Sequence, residues 1–313
     1  MRESEVIAEV VARNPSLATA GGATVVVPPG DDMALVELRG RRVLVAADQV
    51  IEGRHWPAGT PLRLVARKAL ARNLSDIAAM AGVPSCAVAT VALPPDLPDA
   101  DVRALSEGLH AAGLEFRCPV VGGDTGTHSA AGAPLVLSVS VLAEPGPTGR
   151  VVTREGARPG DLLCVTGTLG ASAGFGPGGH HLTFTPRVRE AQALVEALGD
   201  RLHAMIDVSD GLAADAAHLA AAAGCDVVIE ASRLPVAPGT PWQDAVGLGE
   251  DYELAFACDG APPAAVCGTP VTVVGRFEPG RAGRVVVEAD GRRHDAAGLG
   301  WEHGRPGSGS MPA

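Results

Sequence analysis

Short apolar runs bounded by glycine or proline alternate with longer amphipathic stretches in the first half of the chain. The run over residues 42–48 (RVLVAAD) is rich in β-branched residues, which is typical of a strand. Over residues 61–80 the apolar residues recur at helical spacing, with Leu70, Leu74 and Ile77 at i, i+4 and i+7. Further strands are predicted over residues 24–27, 33–38, 86–94, 118–121 and 133–144, and further helices over 4–13 and 99–113.

The second half repeats this alternation after a loop near residue 150. A strand end, a cap and an alanine-rich helix are predicted over residues 204–223, and a second helix over 186–198. The apolar runs CDVVIE, YELAFAC, PVTVVGRF and RVVVEAD predict strands. We therefore predict a two-domain α/β or α+β protein, with domains over residues 1–150 and 151–301 and a flexible tail over 302–313.

Composition and charge narrow the class of protein. Hydrophobic residues make up 46% of the chain, and no apolar run reaches the roughly 18 residues that cross a bilayer. The N-terminal stretch MRESEVIAEVVARNP is charged and lacks the apolar core of a signal peptide, so a cytoplasmic protein without membrane contact is expected. The net charge of −11 argues against a nucleic-acid-binding protein, which usually presents a basic face.

The scarcity of lysine excludes two common ways of binding ATP. Lys68 is the only lysine, and it lies within the helix predicted over residues 61–80. The GxxxxGK[ST] loop and the strand lysine of protein kinases are therefore both absent. If this acidic chain uses ATP, arginines and divalent cations must neutralise the phosphates.

Aspartates recur where predicted loops meet helices or strands. Some lie before or at the end of a strand, and others lie on a helix, after paired glycines or around the start of a helix. In chain order they are Asp31, Asp32, Asp48, Asp76, Asp124, Asp207 and Asp210. Ser209, between the last two, is expected to cap the helix that follows. One such aspartate is typical of a turn, but several together match the hard oxygen ligands that Mg²⁺ prefers.

Eight short motifs occur in the order found in one enzyme family. They are PPGDDMAL, DQVIEGRHW, NLSDIAAMAGVP, VVGGDT, TREGARPGD, VTGTLG, DVSDGL and GEDYEL. In these motifs the chain resembles the thiamine-monophosphate kinases, of the superfamily that includes aminoimidazole ribonucleotide synthetase. The resemblance implies direct transfer of the γ-phosphoryl group of ATP to thiamine monophosphate with several Mg²⁺ ions. It also implies an N-terminal domain that pairs with its twin in a homodimer, and an α/β C-terminal domain.

The resemblance further implies roles for individual residues. Magnesium ligands are expected at Asp32, Asp48, Asp76, Asp124, Asp207 and Asp210, of which Asp76 and Asp210 are expected to be catalytic. Contacts with ATP are expected at Gly123, Asp124, Arg154 and Ser209. Contacts with thiamine monophosphate are expected at His55, Glu250 and Trp301. Because phosphoryl transfer needs charge neutralisation and alignment, no cysteine or histidine nucleophile is expected.

Three departures from the family pattern bear on the metals and the substrate. Ala46 and Ala47 stand where the family has Ser or Thr hydroxyls that help to bind metal, so at least one ion is expected to bind differently or more weakly. Leu248 replaces the first glycine of the family's GGED, and the RPxPR segment is reduced to TFTPR over residues 183–187. Two alternatives stay open: a sister enzyme with another small substrate, and a non-catalytic protein that binds a nucleotide or a thiamine phosphate.

Overall fold

The computed structural model describes residues 22–281 and 283–301, together with Glu5, Val6, Glu9, Ala12, Thr19 and Ala20. Two sheets and the helices packed on them confirm the predicted mixed α/β architecture. The helix expected over residues 4–13 lies mostly outside the described residues, and the tail expected over 302–313 lies wholly outside them. The domain boundary near residue 150 stays a prediction.

The first sheet has seven strands in the order β1-β2-β3-β4-β7-β5-β6. The strands are β1 (Thr19–Ala20), β2 (Ala23–Val27), β3 (Ala34–Leu38), β4 (Arg41–Ile51), β5 (Gly82–Leu93), β6 (Val120–Thr127) and β7 (Val136–Pro145). Only the β5–β6 pair is parallel. Alternation along β4 buries Leu44 and Val50 on one face and exposes Val45 on the other, so one face carries the core and one is open.

The second sheet is ordered β15-β14-β10-β13-β8-β11-β9, with β12 paired to β13. Its strands are β8 (Leu162–Thr166), β9 (Leu202–Asp207), β10 (Asp226–Glu230), β11 (Leu254–Cys258), β12 (Ala265–Val266), β13 (Thr269–Glu278), β14 (Arg284–Ala289) and β15 (Arg292–Asp295). All five residues of β11 are buried, because helices cover both faces of this sheet.

The helices are α1 (Leu62–Ala79), α2 (Asp99–Glu115), α3 (His180–Thr183), α4 (Val188–Leu198), α5 (Leu212–Ala223) and α6 (Trp242–Gly247). Helix α1 is central, since 12 of its 18 residues are buried. Leu70, Leu74 and Ile77 pack in the core of the first sheet, as their spacing predicts, while Ala78 packs against Leu194 and Met205 in the second half. No helix in the described part of the chain has the length and apolar character that crossing a bilayer requires.

Two of the strand boundaries that differ from the sequence prediction concern site residues. Strand β4 was expected to end at Asp48 but continues to Ile51, because Val50 and Ile51 pair with β7. Strand β6 continues through GGDTGT, because its backbone pairs with β5, so Asp124 lies inside a strand rather than in a loop.

Candidate active site

A cavity of about 700 Å³ opens where the two halves of the chain meet. Its walls come from the start of β3, strand β4, helix α1, the connection between β9 and α5, and residues 296–301. Carboxylates dominate its charged side chains. They belong to Asp31, Asp32, Asp48, Asp76, Asp207, Asp210 and Asp215, and the accompanying guanidinium groups belong to Arg72 and Arg154.

Three of these carboxylates form the centre of the acidic wall. Oxygen atoms of Asp32, Asp76 and Asp207 all lie within 4.8 Å of one another. The three residues come from the loop before β3, from α1 and from the end of β9. Ser75, also on α1, donates a hydrogen bond of 2.6 Å to Oδ2 of Asp207. Helix α1 therefore supplies one member of the trio and orients another.

The trio has the chemistry of a divalent-cation site. Oδ1 of Asp32 accepts a hydrogen bond of 2.6 Å from Arg154, whereas Oδ2 is buried and has no partner within the described part of the chain. An unpartnered buried acceptor costs about 1–3 kcal/mol. Converging carboxylate oxygens are the ligands that Mg²⁺ takes. Asp32, Asp76 and Asp207 therefore fit such an ion.

Burial and mutual repulsion change the protonation of this wall. Burial, and after it the charge of Asp32, raises the pKa of Asp207 to about 7 and the pKa of Asp31 to about 6. Burial, followed by the charges of neighbouring aspartates, also raises the pKa values of Asp76 and Asp215 well above their ordinary range. Without a cation the wall thus retains protons near neutral pH, and a bound cation would displace them.

Two guanidinium groups place fixed positive charge in the acidic wall. The backbone N–H of Arg154 donates a hydrogen bond of 3.0 Å to Oδ2 of Asp31. Arg72, on α1, donates from Nε to Oδ2 of Asp48 at 2.7 Å and from Nη1 to the carbonyl oxygen of Gln49 at 2.9 Å. Arginine stays charged at any physiological pH, so neither charge depends on pH.

A buried ion pair lies beside the cavity. Nζ of Lys68, a residue with 0% exposure, lies 2.5 Å from Oε2 of Glu250 and 2.7 Å from the carbonyl oxygen of His55. The backbone N–H of Ile51 donates to Nδ1 of His55, which assigns the ring proton to Nε2. Burial lowers the pKa of His55 to about 3, so this imidazole is neutral at pH 7. The pair joins α1 to the segment that follows α6.

That segment, GEDYEL, has a strained backbone. Glu250 and Tyr252 have φ angles of 66° and 52°, a region that residues with side chains rarely adopt. Their N–H groups donate to the carbonyl oxygens of Ser209 and Val208 at 2.7 and 2.8 Å. A Cβ at Gly249 would lie 2.3 Å from the carbonyl oxygen of Ser209, so only glycine allows this approach. The segment is thereby fixed against DVSDGL.

Most of the predicted site residues lie around the cavity. Those that line it are Asp32, Asp48, Asp76, Asp207, Asp210, Arg154, Ser209 and Trp301. His55 and Glu250 lie behind the wall, where both contact Lys68. The structure thus brings these residues together, and their individual roles stay predictions.

Within a single chain, Gly123 and Asp124 do not line the cavity. Asp48 in β4 pairs with Val139 in β7, which pairs with Ala89 in β5, which in turn pairs with Gly123 in β6. Gly123 therefore lies three strand spacings, or about 14 Å, from Asp48. Asp124, one residue further along, lies on the open face of the sheet, because side chains alternate along a strand. Its role as a metal and ATP ligand also stays a prediction.

The expectation that Ser209 caps a helix was wrong. Helix α5 begins at Leu212 after Gly211, and no side chain caps its first turn. The φ angle of 107° at Gly211 makes a sharp turn at this point. The N–H of Asp210 instead donates a hydrogen bond of 3.2 Å to Oδ2 of Asp215, in the first turn of α5.

Sequence reasoning missed Arg72, Asp215 and the partners of Lys68. One signal was present: Lys68, Arg72 and Asp76 are spaced four residues apart, so they share one face of α1. Asp215 carried no clear signal, since an acidic residue in a first helical turn is ordinary.

Each half of the chain matches a known domain family. Residues 30–144 match the N-terminal domain of AIR synthase related protein, and residues 158–288 match its C-terminal domain. The fold and the acidic cavity thus place the chain in the class of AIR synthase related proteins.

Individual relatives narrow this class to one family. The thiamine-monophosphate kinase of Caulobacter vibrioides is 35% identical over 302 residues, covering 88% of this chain and 84% of that protein. The thiamine-monophosphate kinase of Rhodopirellula baltica is 34% identical over 278 residues, covering 81% and 84%. The solved structure of AaThiL complexed with AMPPCP and TMP has a TM-score of 0.79 at 29% identity, covering 96% of this chain and 97% of that one. The chain belongs to the thiamine-monophosphate kinase family and is a kinase.

Proposed function

We propose that the chain transfers the γ-phosphoryl group of ATP directly to thiamine monophosphate, in the cytoplasm and with several Mg²⁺ ions. The bond from the γ-phosphorus to the oxygen bridging to ADP breaks. A bond from that phosphorus to a terminal phosphate oxygen of thiamine monophosphate forms, giving thiamine diphosphate. The relative solved with AMPPCP and TMP supports this pair of substrates.

The carboxylate trio with the unpartnered oxygen of Asp32 is the observation that carries the proposal. Asp32, Asp76 and Asp207 would hold Mg²⁺, with Asp210 beside them. Mg²⁺ bound there supplies positive charge to phosphate oxygens in an otherwise repulsive cavity. Arg154 adds a charge that does not titrate and holds Asp32 in place.

The cavity also offers contacts for the organic part of the substrate. The ring of Trp301 lines the cavity, and the guanidinium of Arg54 lies 4.8 Å from its centroid. A flat ring held in this way suits stacking against an aromatic substrate. Glu250 lies behind this cavity wall, and its partly exposed carboxylate, paired with Lys68, is assigned to the cationic or N–H groups of thiamine.

Purified protein with ATP, Mg²⁺ and thiamine monophosphate is expected to form thiamine diphosphate, measured by chromatography. Excess EDTA is expected to lower the rate by about 10³-fold or more, because phosphate would then meet unneutralised carboxylates. Restoring Mg²⁺ is the control for irreversible damage. Tight ATP binding by folded protein with no turnover of thiamine monophosphate would contradict the proposal and favour a non-catalytic binding protein.

We also propose a homodimer formed through the open face of the first sheet. Val45 and Leu142 are paired on that face, and both are exposed, as is Val83 on β5. A neighbouring group of exposed apolar side chains on a sheet is typical of a protein interface. Leu142→Glu is expected to shift the sedimentation coefficient from dimer to monomer, whereas Leu114→Glu, on the exposed surface of α2, should leave it unchanged. A monomeric wild-type protein would contradict this proposal.

A further inference from the structure

Arg72 holds an unusual position in the acidic wall. It lies on the cavity-facing side of α1, four residues from Asp76, and its side chain is only 16% exposed. A buried guanidinium needs an anionic partner, and α1 brings Arg72 directly to Asp48. Arg72 is therefore an integral part of the wall rather than a surface side chain.

The contacts of Arg72 fix it to strand β4 at two points. Nε donates to Oδ2 of Asp48 at 2.7 Å, and Nη1 donates to the carbonyl oxygen of Gln49 at 2.9 Å. Asn73, the next residue on α1, accepts a hydrogen bond of 3.1 Å from the backbone N–H of Asp48. Helix α1 thus forms hydrogen bonds with both the backbone and the side chain of Asp48.

The donor set around Asp48 is poor for a divalent cation. Ala46 and Ala47, which precede it on β4, carry no side-chain oxygen. The trio whose oxygens converge within 4.8 Å consists of Asp32, Asp76 and Asp207, without Asp48. Magnesium needs several oxygen ligands at short distance, and here one carboxylate oxygen is already bonded to a guanidinium.

We propose that Arg72 is a fixed cation that takes the place of one divalent ion beside Asp48. This inference rests on the proposed phosphoryl transfer, because it assigns to Arg72 the positive charge that faces the phosphates of bound ATP beside Asp48. Within the described residues, Nη2 of Arg72 donates no hydrogen bond, so it remains available to a phosphate oxygen. The metal ions then bind only at the Asp32, Asp76 and Asp207 end of the wall.

The proposal is tested by counting bound metal ions rather than by activity alone. Mn²⁺ is titrated into folded protein with saturating non-hydrolysable ATP analogue, and free Mn²⁺ is measured by electron paramagnetic resonance. Asp48→Asn is expected to leave the number of bound Mn²⁺ ions per chain unchanged, whereas Asp76→Asn is expected to lower it by at least one. Loss of a Mn²⁺ ion in Asp48→Asn would overturn the assignment of Arg72.

A second set of variants tests the substitution directly. Arg72→Met combined with Ala46→Ser, which adds a hydroxyl on the face of β4 that carries Asp48, is expected to bind one Mn²⁺ ion more than the wild type, while Arg72→Lys, which keeps a cation, should not. An unchanged count in the double variant, with native circular dichroism, would also overturn the proposal. An unchanged count in Asp76→Asn would instead contradict the metal site of the proposed function, so the two failures are distinguishable.

Discussion

Asp76→Asn is expected to lower the rate of thiamine diphosphate formation by about 10³-fold and to raise the melting temperature of the metal-free protein at pH 8. The rate falls because Asp76 is the member of the carboxylate trio that α1 supplies. The melting temperature rises by a few degrees because an amide replaces a buried carboxylate that is repelled by Asp48 and Asp207.

The sign of the pH dependence follows from the pKa of Asp76. Burial, and after it the charges of Asp48 and Asp207, raises that pKa well above 3.8, so the folded metal-free protein binds more protons than the unfolded chain between the two values. Stability contributed by this group is therefore present at low pH and is lost as the pH rises through the raised pKa. The gain in Asp76→Asn should accordingly shrink towards pH 4, where the wall is protonated in both proteins.

The matched control is Asp96→Asn, which changes an exposed aspartate outside the cavity. Differential scanning calorimetry in EDTA and a chromatographic assay in Mg²⁺ measure the two effects. The control should change neither the rate nor the melting temperature. If Asp76→Asn instead lowered the melting temperature strongly at pH 8, Asp76 would be a structural residue of α1 and the repulsion argument would fail.

Lys68→Met is expected to lower the free energy of unfolding by about 3 kcal/mol and to weaken binding of thiamine monophosphate. The reason is that Glu250 would lose the ammonium group 2.5 Å away and the carbonyl oxygen of His55 would lose its donor. Glu250→Gln in the same chain should recover most of the stability, since no uncompensated carboxylate then remains. Urea denaturation of the four proteins of this cycle gives the coupling energy.

Arg233→Met is the matched control for the loss of an ion pair. Arg233 and Glu230 form a salt bridge of 2.8 Å in which the side chain of Arg233 is exposed, so its removal should cost less than about 1 kcal/mol. A loss in Lys68→Met no greater than that in Arg233→Met would show that the buried pair has no special weight. A normal KM for thiamine monophosphate in Lys68→Met would show that it does not position Glu250 for the substrate.

The sequence was a good guide wherever one local pattern determined the outcome. The spacing of Leu70, Leu74 and Ile77 predicted both the existence of α1 and the face that packs on the first sheet. The aspartates of GDD and DVSDGL were expected to act together, and the structure does bring Asp32 and Asp207 to one cavity.

Long-range partners were beyond what local patterns could show. Lys68 and Glu250 are separated by 182 residues, and no periodicity connects them. Asp48 and Asp124 are both expected to bind metal, yet sheet register places them three strands apart on opposite faces within one chain, and the role of Asp124 stays a prediction. Strand register depends on pairing with distant residues, so a motif such as GGD cannot reveal which face its side chain takes.

Helix α1 also constrains how such a chain can arise or be divided. Its Leu74 and Ile77 complete the apolar interior of the first sheet, while Ala78 completes that of α4 and β9. Because one helix closes both interiors, neither half has a full complement of apolar contacts by itself. If the two halves were encoded separately or exchanged, each half would therefore need its own copy of this helix. This requirement favours inheritance of the chain as a single unit.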